Sequence, residues 1–216
     1  MTKKNLTKKL KEHEMSDDII LYDTKEAAKI KLDIPTFELA PADWPGLYNV
    51  LPEFNFSNPP IDPNAFASTL VETCKKHNGF GLSANQCGYP HRVFVMGTDD
   101  EYVAFFNPKL IKSEGESHIE EGCLSWPLLT LRITRPKKIW VEYQDFTGAK
   151  KEAIFDGISA RCFLHELDHM NGIMYTSRVK PLALQFGLKK LEKIRRKYFN
   201  PKMMKQMTNG NQKAHT

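Results

Sequence analysis

The chain has 216 residues, 41% of them hydrophobic and 26% charged, enough for one compact domain with a core. That composition excludes a collagen-like, wholly disordered or disulfide-dense chain, and its short apolar runs fall far below the ~18 residues that span a bilayer. The net charge of +5 is unevenly spread: residues 178–216 carry eleven Lys/Arg against one acid, Glu192, while residues 15–177 carry fifteen bases against 23 acids.

Residues 1–17 are Lys- and Glu-rich with little periodicity and read as a disordered basic tail. No apolar segment of signal length follows Lys4, so export by that route is not expected. Residues 18–60 hold Pro35, Pro41, Pro45, Pro52, Pro59 and Pro60 and read as irregular chain wrapped on the body. Asp62-Pro63 reads as an N-cap with proline at the first helical position. Phe66, Leu70, Val71 and Cys74 then recur at helical spacing, predicting a helix over 62–77.

From about 91 to 156 the texture is β. Arg92–Met96, Tyr102–Phe106, Leu128–Thr134 and Ile139–Tyr143 are rich in β-branched and aromatic residues, with turn signals at Asp99-Asp100 and Thr147-Gly148. Strands so close together, with no helices between, predict antiparallel pairing. A helix over Ile158–Met170 stops at Asn171-Gly172. A last helix runs from Pro181 to about Phe199, with Leu182, Leu184, Phe186, Leu188, Leu191 and Ile194 as its apolar side and lysines and arginines over the rest. Residues 200–216 read as a second disordered tail, leaving 18–199 as a single catalytic domain. The basic arm suits contact with a polyanion, or is a solubilising face.

Chemistry concentrates in His165-Glu166-Leu167-Asp168-His169, an H-E-x-x-H pattern inside the second helix. Residues i and i+4 share a helix face, so two imidazoles there reach one metal ion at about 2 Å from each ring nitrogen. Glu166 then reaches a water on that ion and takes its proton, the parts of an acyl-bond hydrolase. Catalytic sites of this kind usually have three protein ligands. Glu192, in a Lys-rich stretch, is the only acid after Asp168, and the third His of a metzincin is absent. The third ligand is therefore expected upstream, at His118 or Cys123.

The four cysteines, Cys74, Cys87, Cys123 and Cys162, form no C-x-x-C pair, which excludes a zinc ribbon or thioredoxin motif and reads as free thiols in a reducing compartment. Cys123 sits in Glu121-Gly122-Cys123-Leu124-Ser125, where glycine permits close approach. Gly79-Phe80-Gly81-Leu82-Ser83-Ala84-Asn85-Gln86 is dense in small residues, as where backbone nears a ligand, and Gln86 offers an amide donor to an oxyanion.

These three segments, in this order, resemble the peptide deformylase family, whose motifs read G-x-G-L-[AS]-A-x-Q, E-G-C-L-S and H-E-x-D-H-x-x-G. The resemblance covers about residues 62–199. It implies an α+β fold, with antiparallel β-sheets around a central metal-binding helix and a C-terminal helix. It implies one divalent metal, Fe(II) in the cell and replaceable by Zn, Ni or Co, on Cys123, His165 and His169. Glu166 would be general base and then acid, and Gln86 with the Leu124 backbone N–H would hold the oxyanion. Gly79, Phe80, Gly81, Ile119, Glu121, Gly122, Ile158 and Cys162 would bind substrate, and Glu121 would pair with Arg135. The implied reaction removes the formyl group from the N-terminal methionine of new polypeptides and releases formate.

The implied partners are N-formylated nascent peptides and, through the basic C-terminal helix, the ribosome, with no DNA and no membrane. The setting is cytoplasmic, in a bacterium or a bacterial host, with an organelle left open. Two departures stand out: Leu164 replaces the family's Gln before the first His, and Trp126 replaces a smaller aliphatic residue, which would narrow or reshape the substrate entrance. The competing readings are another H-E-x-x-H hydrolase, such as a protease, and a polyanion-binding module with a decayed metal site.

Overall fold

The computed structural model describes residues 35–98 and 101–198, all within one compact unit. The expected tails at 1–17 and 200–216, the segment 18–34, the Asp99-Asp100 turn and Phe199 lie outside the described residues, as do both expected domain boundaries.

Among the described residues seven strands form two antiparallel sheets, as their close spacing requires. β1 (Gly81–Ser83), β2 (Val93–Thr98), β3 (Glu101–Glu114), β6 (Lys138–Gln144) and β7 (Lys150–Asp156) make a five-stranded sheet in the order β1-β2-β3-β6-β7. β4 (Ser117–Cys123) and β5 (Trp126–Arg135) make a separate hairpin. Three strands are not among the four segments named from the sequence, although β4 and β7 fall within the β texture of 91–156. β1 falls in the glycine-rich segment, β4 carries His118, Glu120 and Glu121, and β7 opens with lysines. Each is polar or short, and pairing with a neighbour decides its state.

Three helices follow the sequence closely. α1 (Pro63–Lys76) starts where the Asp62 carboxylate accepts from the Ala65 N–H at 2.7 Å, as the cap signal predicts. α2 (Gly157–Met170) ends at Asn171, and α3 (Pro181–Tyr198) follows a 3-10 turn over Tyr175–Arg178.

Strand alternation builds a core on each face of the large sheet. Phe94, Met96, Phe105, Ile139 and Val141 meet Ala160, Phe163, Leu164, Leu167 and Met170 of α2. Val93, Val95 and Phe106 meet Phe66, Leu70 and Cys74 of α1 on the other face. In β5, Leu129, Leu131 and Ile133 point inward onto Tyr175 and Leu191. Residues 35–60 are irregular apart from a 3-10 turn at Pro45–Tyr48. Asn107 pins them by hydrogen-bonding both the N–H and the C=O of Phe54.

The apolar side expected for α3 needs correction. Leu184 and Leu191 face β5, but Leu182 and Phe186 are each 61% exposed. The helix seats on β5 through Gly187, where a Cβ would come within 2.7 Å of Leu131 Cδ2, so a different stripe faces the body. Among the described residues no helix is long and apolar enough to cross a membrane.

Candidate active site

α2 carries three stripes at helical spacing. Phe163, Leu164, Leu167 and Met170 turn to the large sheet. Arg161, His165 and Asp168 turn toward the β4–β5 hairpin, where all three are buried and hydrogen-bonded. Cys162, Glu166 and His169 form the third stripe, with Glu166 against β1. One helix thereby delivers two imidazoles and a carboxylate to the junction of the two sheets.

Cys123, at the end of β4, joins them. The Cys123 thiol, His165 and His169 each offer a donor atom, and these atoms lie within 4.8 Å of one another. Cys123 Sγ stands 3.4 Å from His169 Nε2. His118, the other upstream candidate, is exposed, with Nδ1 2.7 Å from Thr134 Oγ1, and is outside this group.

The donor set fits a divalent cation. Burial would raise the Cys123 thiol, but the charge of His169 and hydrogen bonds from both imidazoles outweigh it and hold the thiol well below its ordinary range. A thiolate with two imidazoles is a ligand set that zinc, iron and similar ions accept. His165 Nδ1 lies 3.1 Å from Glu121 Oε2, which fixes that ring and leaves Nε2 free to face the cation.

Behind His165 is a buried ionic network. Glu121 accepts from Arg135 Nε at 2.6 Å, Arg135 Nη2 at 2.9 Å and Arg161 Nη1. Burial pushes the Glu121 carboxyl up, but hydrogen bonds from His165 and Arg135 and the Arg135 charge prevail and hold it at about 2. Arg135 also donates to Asp168 Oδ2 at 2.8 Å, and Arg178 closes on both Asp168 oxygens. The expected Glu121–Arg135 pair is present. Arg161, Asp168 and Arg178 were not read from the sequence as members, although Arg161, His165 and Asp168 stand four and three residues apart in it.

Glu166 is 4% exposed, and Ser83 Oγ donates to its Oε2 at 2.6 Å. Burial raises its pKa, opposed by the two imidazoles and by Ser83. A carboxylate of raised pKa near cationic donors is a suitable proton acceptor. Gly81 lies so close that a Cβ there would stand 2.6 Å from Glu166 Oε1.

Ser83 caps the 3-10 turn Ala84–Cys87, and its N–H donates to Gln86 Oε1 at 2.9 Å. This turns the Gln86 amide nitrogen toward Ser125 Oγ, 3.1 Å away, and Cys123 Sγ, 3.4 Å away. Asn85 braces the helix end by donating to the His169 carbonyl at 3.1 Å. Leu124 packs against Gly79, whose carbonyl accepts from Tyr102 at 2.8 Å. Ser83, Asn85 and Ser125 stand in the segments singled out from the sequence, but no role was read for them there, and Tyr175 carried no signal; the side-chain partners that give them roles lie 39 or more positions away.

Phe80, Ile119 and Ile158 expose 64%, 38% and 57% of their surfaces, Gly122 is exposed, and Cys162 is half-buried. Glu121, expected to bind substrate, is 6% exposed and engaged by Arg135, Arg161 and His165. Trp126 is partly buried and packs against the cluster beneath β5. Leu164 takes the place of an expected polar group by joining the apolar face of α2.

The match with a family model is decisive. Residues 49–185 match the model for polypeptide deformylase. The chain belongs to the polypeptide deformylase family. A peptide deformylase of Thermotoga petrophila is 39% identical over 128 residues, 59% of this chain and 78% of that one. One of Treponema pallidum is 36% identical over 132 residues, 61% of this chain and 82% of that one. Among solved structures, a peptide deformylase of Legionella pneumophila superposes with a TM-score of 0.66 at 28% identity, over 77% of this chain and 99% of that one. One of Synechococcus elongatus, crystallised with actinonin, gives 0.67 at 28% identity, over 74% and 88%. The deformylase family thus accounts for the α+β arrangement and implies a divalent metal, and Cys123, His165 and His169 are a donor group that could hold one.

Proposed function

We propose that this chain removes the formyl group from the N-terminal formyl-methionine of newly made polypeptides, releasing formate. The observation that carries the reading is Glu166, held by Ser83 beside the point where Cys123, His165 and His169 converge.

Cys123, His165 and His169 would hold a divalent cation, which would supply Lewis acidity and lower the pKa of water. Glu166 takes a proton from the attacking water, whose oxygen bonds to the formyl carbon. Gln86 Nε2 and the Leu124 backbone N–H donate to the oxygen that becomes negative. The C–N bond then breaks, and Glu166 passes its proton to the departing amine.

β1 and β4 both end at the site. β1 is an edge strand of its sheet, and the far side of β4 bears no partner among the described strands. Their unpaired backbone groups can hold the peptide as an extended strand. Phe80, Ile119, Ile158 and Cys162 offer an apolar slot for the methionine side chain, with Gly79, Gly81 and Gly122 allowing its backbone to come close. Glu121 acts one step back, orienting His165.

Formyl-Met peptides and an unblocked protein, incubated separately with the metal-loaded enzyme, test this. Formate release without internal cleavage is expected, and internal cleavage of the unblocked protein overturns it.

Two finer readings belong with it. The resident metal is Fe(II), to be checked by metal analysis of anaerobically purified protein. The basic face of α3 approaches ribosomal RNA. Charge reversal at Lys189, Lys193 and Arg196 keeps Leu184 and Leu191 on β5 and should weaken ribosome association in a salt-dependent way. Unchanged association refutes that contact.

A further inference from the structure

The β4–β5 hairpin loses its register beside the metal-ligand cysteine. Glu121 pairs with Leu131 and Cys123 with Trp126, so residues 127–130 of β5 oppose the single residue Gly122. Bulges of this kind occur next to active sites, where they re-aim a side chain.

Within this bulge Leu128 has φ +69°. Only two other non-glycine residues among those described have positive φ, Asn78 and Asn107, and asparagine tolerates that region. An aliphatic residue there costs about 1–2 kcal/mol that glycine or asparagine avoids. The surroundings impose the conformation. Leu129 is 1% exposed in the core beneath β5, and its carbonyl accepts from Tyr175 at 2.9 Å. Pro127 fixes φ on the other side.

The conformation therefore does not serve burial of Leu128, which is 50% exposed. Along β5 the odd-numbered residues 129, 131 and 133 face the core, which puts Leu128 on the opposite side of the hairpin, with exposed Gly122. The strained residue is an exposed apolar side chain five positions from Cys123, in the bulge opposite Gly122.

We propose that Leu128 is a specificity-determining residue, contacting the side chain of a nascent-chain residue beyond the leading methionine and favouring an apolar one. This rests on the deformylase reading. A peptide lying along the free side of β4 has its methionine in the slot beneath, and its following residues are parted from Leu128 only by Gly122, which puts no side chain between them.

The test uses metal-loaded enzyme and formyl-Met peptides differing only in the second or third residue, glycine against leucine. In Leu128→Ala the strain stays and the contact goes. In Leu128→Asn both go. The expected result is a KM about tenfold higher for the leucine-containing peptides in both variants, with kcat and the glycine peptides unchanged. Leu128→Asn should also melt about 2–4 °C higher than Leu128→Ala. A merely structural role would move the melting temperature and leave the leucine-against-glycine KM ratio as it is. An unchanged ratio in both variants overturns the proposal, provided wild-type protein releases formate. Absence of formate from the wild type overturns the deformylase reading instead.

Discussion

Gly81→Ala probes the placement of Glu166 without touching any polar group. A Cβ at this position would stand 2.6 Å from Glu166 Oε1 and 2.9 Å from its Cγ and Cδ. Ordinary contact begins near 3.4 Å, so the carboxylate has to retreat by about 0.8 Å. It is 4% exposed and tied by Ser83 at 2.6 Å, which leaves little room for a harmless retreat. Misplacing a reacting group by about 1 Å costs about 100-fold in rate, and we expect that loss in kcat. Metal content stays at the wild-type level, because Glu166 is not among the three converging donors. Stability falls by about 1–3 kcal/mol, the ordinary cost of overpacking, partly offset by the lower entropy of alanine in the unfolded chain. Initial rates of formate release, metal analysis and a denaturation midpoint measure the three. A folded, metal-loaded variant with kcat within threefold of wild type would refute catalysis by Glu166 from this position.

Cys123→Ser should lose most bound metal on dialysis, while Cys74→Ser, whose sulfur hydrogen-bonds the Gly79 carbonyl instead, should retain it. Glu166→Gln should keep its metal and lose turnover, and hydrolysis at the wild-type rate would remove its role as base. Arg161→Met strips one guanidinium from buried Glu121 and leaves the Ser117 and Ile133 carbonyls without it; a loss of about 3–5 kcal/mol in urea unfolding is expected, and under 1 kcal/mol would contradict the network. Burial, with the Glu166 charge behind it, pushes the Cys74 thiol up to about 12, so native protein at pH 8 should resist alkylation there until it unfolds, as mass spectrometry can follow.

The reach of the sequence was governed by how local each signal is. The ends of α1 and α2 were legible because caps and stops act within a few residues. The H-E-x-x-H pair was legible because helix geometry alone brings His165 and His169 together. Cys123 was only one of two candidates until the family's motif order was recognised, and folding places it 3.4 Å from His169 Nε2 while holding His118 aside. β1, β4 and β7 lacked the alternation that marks a strand, since pairing and not side-chain pattern makes them. The face of α3 was misjudged for a related reason: the small Gly187, invisible to a hydrophobic count, is where the helix meets Leu131.

Short-range order thus determined the helices, the antiparallel β texture, the two imidazoles with their carboxylate, and the family. Tertiary structure alone decided that Arg161, Asp168 and Arg178 join Glu121 and Arg135 behind His165, that Ser83 holds Glu166, and that Leu128 is forced to positive φ. The physical reason is range. Hydrogen bonds along a helix link neighbours in sequence, whereas the long-range partners around this site lie 10 to 84 positions apart and meet only when both sheets close on α2.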